Sequence, residues 1–143
     1  MPEPSLSDAE LLALLEETRS IAVLGASANP ARPSYGVTGY LVAAGFEVYP
    51  VNPGHAGQLL FGRPVLPDLA SLGFVPDLVD IFRRSEEAGA LIDRAVAAGV
   101  RRVWLQLGIH DEAATARARK AGAVVVTDRC LKVEHARLVG HSA

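Results

Sequence analysis

The chain has 143 residues, 50% of them hydrophobic and 21% charged, with a formal net charge of -2. That length and apolar content suit one domain around one core, and the nearly balanced charge offers no cationic face for nucleic-acid phosphates. Apolar runs such as Ala22 to Ala28 fall well short of a membrane span, the N-terminus has no basic-then-apolar leader pattern, and the single cysteine, Cys130, allows no internal disulfide. A cytoplasmic protein is expected.

In chain order, Ser7-Asp8-Ala9-Glu10 has the pattern of a reciprocal N-terminal cap, and Leu11, Leu12 and Leu15 follow at helical spacing. Residues 1–19 are therefore expected to form a helix covering a sheet edge, packed on a single domain of residues 20–143. Ile21 to Gly25 is a continuous apolar run ending in glycine, as suits a strand buried on both faces. A helix is predicted from Ser34 to Ala44 with Gly45 as its stop, then a strand from Phe46 to Val51. Asn52 to Pro67 reads as loop with one short strand near Leu60, and Asp68 to Leu72 as a brief helix. Leu78 to Phe82 is a strand. Ser85-Glu86-Glu87 supplies an N-cap and an acidic first turn for a helix ending at Gly99. Arg102 to Gln106 is a strand, Asp111 to Ala121 a helix closed by Gly122, Ala123 to Thr127 the last strand, and a final helix follows Cys130.

Strands alternating with helices of about a dozen residues imply βαβ units. The expected fold class is α/β, a three-layer Rossmann-like fold with a mainly parallel sheet of five or six strands. Ligands in such sheets sit beyond the carboxyl ends of the strands, where the strand order reverses.

The loop Gly25 to Ser34 joins the first strand to its helix with small residues, so its amides can approach an anion, and Arg32 can add a charge. The same turn also occurs simply to reverse the chain. It is not the dinucleotide fingerprint, because Ser27 and Pro30 stand where glycines are needed. At the end of the second strand, where an NAD-binding chain places an acid on the ribose, this chain has Asn52. Asn52 can bond an adenine or a sugar, or merely form an Asx turn.

Five segments together resemble a known family: Ile21 to Ser27, Val48 to Pro53, Val79 to Arg83, Val103 to Ile109, and Asp128-Arg129-Cys130. They are similar to the stand-alone CoA-binding domain proteins and to the CoA-binding N-terminal domain of succinyl-CoA synthetase α subunits, over about Ser20 to Lys132. The resemblance implies a small-molecule ligand, coenzyme A or an acyl-CoA, with Gly25, Ser27 and Arg32 on its pyrophosphate and Ala26 and Pro30 in the same loop. Asn52 and Pro53 border the adenosine. Phe82 packs on adenine or pantetheine, and Arg83 meets a phosphate or remains a surface charge. Gln106, Gly108 and Ile109 line the far side of the cleft.

No catalytic residue is expected. A synthetase's phosphoryl-carrying histidine belongs to a second domain for which this chain has no room. His110 is the one histidine in the expected cleft, has only Asp111 and Glu112 as carboxylate neighbours, and reads as a cap or surface residue. His55, His135 and His141 have no metal-site spacing. Cys130 stands near the cleft edge, where its thiol can exchange with that of CoA or lie inert in packing. Trp104 reads as core with an N–H in need of a partner. A non-catalytic CoA-binding module is the leading expectation. The alternatives are an NAD(P)-dependent oxidoreductase, expected from the fold alone, and the CoA-binding subunit of a multi-chain acyl-CoA synthetase. A homo-oligomer is left open.

Overall fold

Apolar runs too short to be helices pair edge to edge in the computed structural model, which describes residues 6–139. Strands β1 (Ser20–Leu24), β2 (Glu47–Val51), β5 (Leu78–Ile81), β6 (Arg102–Leu105) and β7 (Val124–Val126) form one sheet in the order β2-β1-β5-β6-β7. Every pairing in it is parallel. The sheet is flanked by α1 (Asp8–Glu17), α2 (Pro33–Ala43), α3 (Ser85–Ala97), α4 (Glu112–Lys120) and α5 (Leu131–Leu138). None of these helices is long and apolar enough to cross a membrane.

Side chains of a parallel strand alternate between two covered faces, and the core divides accordingly. On one face Ile21, Val23, Leu78, Trp104 and Val126 pack with Leu11 and Leu15 of α1, Leu41 of α2 and Leu131 of α5. On the other, Ala22, Leu24, Val79, Ile81 and Leu105 pack with Ile92 of α3 and Ala118 of α4. Helix α1 therefore belongs to a face layer and does not cover a sheet edge as expected. Its reciprocal cap is present, with Ser7 N–H donating to Glu10 Oε1 at 2.9 Å and Glu10 N–H to Ser7 Oγ at 3.1 Å. Its far side is tied to α5 by a bidentate pair in which Arg137 donates to Asp8 at 2.8 and 2.9 Å. Arg137 and Arg129 both also donate to Glu134, a buried carboxylate on α5.

The stretch between β2 and β5 differs most from expectation. One short strand was predicted near Leu60, and a hairpin of two is found, β3 (Leu59–Leu60) and β4 (Arg63–Pro64). Phe61 and Gly62 form its turn with φ of 52° and 76°, the twist that a two-residue hairpin connection requires. A bulky residue is costly there, and packing compensates: the Phe61 ring lies 4.8 Å from that of Tyr35 and directly over Gly39 of α2. A Cβ at Gly39 would meet Phe61 Cζ at 2.7 Å. Gly39→Ala is accordingly expected to cost about 1–2 kcal/mol by overpacking in the native chain. In a Phe61→Ala background the same change is expected to stabilise by about 1 kcal/mol through helix propensity. Urea unfolding of the four variants checks the reversal of sign.

Each edge of the sheet carries a contact from another part of the chain. Beyond the hairpin the chain returns along β2, where Leu66 N–H donates to the Pro50 carbonyl and Asn52 N–H to the Leu66 carbonyl, each at 2.9 Å. On the opposite edge, Arg119 donates to the Val125 carbonyl at 2.9 Å.

Candidate functional site

The strand order reverses between β1 and β5, since the chain leaves β1 for β2 on one side and then crosses to β5 on the other. The connection after β1 is shaped by Gly25, whose φ of 90° few other residues adopt. Its N–H and that of Ala26 both donate to the Val51 carbonyl, at 2.9 and 3.2 Å. Asn52 bonds the two loops together, donating from Nδ2 to the Ala26 carbonyl at 2.8 Å and accepting at Oδ1 from Gly54 N–H at 2.9 Å. Both ends of its amide are thus used by the protein, as in an Asx turn. Ser27 Oγ accepts from Asn29 N–H and Asn29 Oδ1 from Ala31 N–H, each at 3.0 Å. The amides of Ser27 and Ala28 make no hydrogen bond to protein among the described residues. Arg32 is the N-cap residue of α2, makes no side-chain cap bond and is exposed.

Phe82 and Arg83 follow β5 and diverge as strand alternation requires. Phe82 packs against the core beneath α1, α2 and α5, whereas Arg83 lies on the α3 side, its stem passing close over Gly25. Arg83 donates to Glu87 Oε1 at 2.7 Å, and that bond holds the Glu87 carboxyl below its usual range. A groove of about 720 Å³ is lined by Leu24, Val51, Leu69 and Leu91 together with Arg83 and, from α3, Arg94. Of the residues predicted from sequence, Gly25, Pro53 and Arg83 line it. Asp68, Glu86, Glu87 and Arg94 also line it, and sequence reasoning did not select them.

The far loops are joined to one another. Ser85 was expected to cap α3, but Arg84 occupies the cap position and makes no side-chain cap bond. Ser85 Oγ instead accepts from His110 N–H at 2.9 Å. Gly108 N–H donates to Asp128 Oδ1 at 3.1 Å, with Asp128 itself at a φ of 55°. Gln106 is buried, and its Oε1 accepts from Leu131 N–H at 3.1 Å, which fixes the start of α5. Ile109 is buried among the α3 and α4 contacts, and half-buried Cys130 packs on the opposite core cluster. Trp104 is fully buried, and its Nε1–H finds the expected partner in the Arg129 carbonyl at 2.7 Å. His110 is exposed, and His141 lies outside the described residues.

A five-stranded parallel sheet between two helical layers, with loops and a groove at its switch point, defines a Rossmann-like α/β module. The family is narrower than the fold: the chain belongs to the CoA binding domain family, whose model matches residues 19–136. The uncharacterized protein YneT of Bacillus subtilis (strain 168) is 33% identical over 130 residues, covering 91% of this chain and 95% of that protein. The structure of cell-free ID.343 from Thermus thermophilus superposes with a TM-score of 0.89 at 40% identity, covering 93% of this chain and 99% of its own. Prb, described as the PH1109 protein redesigned for binding, superposes with a TM-score of 0.90 at 33% identity, covering 99% of this chain and 98% of its own.

Proposed function

We propose that this chain binds coenzyme A or an acyl-CoA at the carboxyl edge of its sheet and does not transform it. The observation that carries this reading is the groove at the β1/β5 switch point, lined by Gly25 at the start of a loop in which the Ser27 and Ala28 amides have no partner among the described residues. Amides of this kind and an uncapped helix start favour phosphate, so the pyrophosphate belongs with Gly25, Ala26, Ser27, Pro30 and Arg32. The adenosine then lies past Asn52 and Pro53 toward the apolar walls of the groove, with Arg83 close to its phosphates. Phe82, Gln106, Gly108, Ile109 and Cys130 border the course of the pantetheine arm. In this reading Gln106 and Asn52 act by holding the loops in place, since the protein occupies the Gln106 oxygen and both ends of the Asn52 amide. In the same reading residues 20–143 are the binding unit and helix α1 of the segment 1–19 packs on it, residues 1–5 and 140–143 lying outside the described residues.

Calorimetric titration with CoA, NADH and NADPH tests the proposal. CoA is expected to bind with a dissociation constant at or below roughly 100 μM, about -5.5 kcal/mol, and at least tenfold more tightly than either nicotinamide nucleotide. Saturable NADH binding with no response to CoA would overturn it.

A further inference from the structure

The sequence lacks an acid at the end of β2, where folds of this type grip a ribose, and chain return supplies one in space. Leu66 forms a parallel bridge with Val51, so Pro67 and Asp68 leave the sheet at the same edge and alongside Asn52 and Pro53. Asp68, an exposed residue, lines the groove with Val51 and Pro53. Its Oδ1 is fixed by two bonds from Ser71, from the backbone N–H at 2.9 Å and the hydroxyl at 2.7 Å. Its Oδ2 accepts no hydrogen bond among the described residues. Of the other carboxylates lining the groove, Glu87 accepts from Arg83 at Oε1 and leaves Oε2 without a hydrogen-bond partner, and Glu86 lies 3.9 Å from Arg84, but both belong to α3 and not to the end of β2. We infer that Asp68 is the acceptor for a ribose 2′-hydroxyl in this groove and thereby selects ribonucleotides over their 2′-deoxy counterparts.

The inference rests on the nucleotide site proposed above and adds the residue that reads its sugar. A positioned carboxylate with one free oxygen suits a hydroxyl donor, and the apolar walls beside it suit a sugar and base. Both CoA and ADP carry the 2′-hydroxyl, so the simpler nucleotide serves as probe.

The test exploits the fact that asparagine caps a turn about as well as aspartate. Wild-type protein and Asp68→Asn are titrated with ADP and 2′-deoxy-ADP, and melting of both proteins is recorded. Wild type is expected to bind ADP about tenfold more tightly than 2′-deoxy-ADP, the scale of one hydrogen bond to a charged group. Asp68→Asn is expected to melt as wild type does and to keep a reduced preference, because its amide N–H can still donate to the hydroxyl oxygen. Asp68→Ser, which retains a capping oxygen and places no group at the position of Oδ2, is expected to bind the two nucleotides alike. A merely structural Asp68 would move the melting temperature and leave the nucleotide ratio intact. The inference is overturned if wild type binds both nucleotides equally or neither, or if Asp68→Ser keeps the full preference. CoA titrated in parallel separates the two claims: CoA binding without ADP discrimination removes only the role of Asp68, and discrimination without CoA binding removes only the CoA reading.

Discussion

Asp80→Asn is expected to make the protein more stable at neutral pH, by an amount that grows as pH rises. Asp80 lies mid-strand in β5, flanked by Val23 and Trp104 in the neighbouring strands, and it is fully buried. Neither carboxyl oxygen has a hydrogen-bond partner. Burial alone raises its pKa well above the ordinary value, because the charged form loses its water and gains nothing in exchange. A pKa raised in the folded state leaves stability intact below the unfolded value near 4 and erodes it as pH climbs toward the folded value. Over that interval wild type is expected to lose about 1.4 kcal/mol per pH unit relative to the asparagine variant. Near pH 4 both side chains are neutral and similar in size, so the two proteins are expected to unfold together. Urea titrations at pH 4, 5.5 and 7 check this, and a difference that stays constant with pH would refute it.

Glu134→Ala carries the second large effect, of opposite pH sense. Hydrogen bonds from Arg137 and then Arg129 hold the Glu134 carboxyl below its usual range despite burial. Removing it takes the carboxylate partner from Arg129 and leaves Arg137 paired with Asp8 alone. A fully dry broken pair costs about 3–5 kcal/mol. Here the Arg129 and Arg137 side chains remain 33% and 42% exposed, so about 2 kcal/mol is expected. A depressed pKa contributes above the unfolded value and is lost as pH falls through the folded one. The gap between wild type and variant is therefore expected to close below about pH 4. Hydrogen exchange gives an independent check, with faster exchange expected in the amides of α1 and α5.

The sheet was legible wherever local pattern and long-range packing agree. Ile21 to Gly25 announces a doubly buried strand and its exit, and Ser7 with Glu10 announces a helix start, because each signal is complete within a few residues. Ser85 shows the limit of that logic. Its residue type suits a cap, but Gly108 to His110 passes close by, and the hydroxyl serves that loop instead. Asp80 was concealed within Leu-Val-Asp-Ile-Phe, a convincing strand whose polar member faces into the core. The groove was the least legible feature. Its walls come from β1, β2, α3 and the segment after Leu66, and no local signal tells a reader that residues 66–68 return to the end of β2. Asn52 was read as a turn former or as a bond to an adenine or sugar, and the turn is found, whereas the acidic residue set beside it in space was not selected.

Strand addition from another molecule needs a row of vacant backbone donors and acceptors. On this sheet the returning segment at Leu66 takes up such groups on β2, and the Arg119 guanidinium takes up an acceptor on the short β7. Pairing of either edge strand with another molecule would have to displace these contacts, which disfavours a continuous intermolecular sheet.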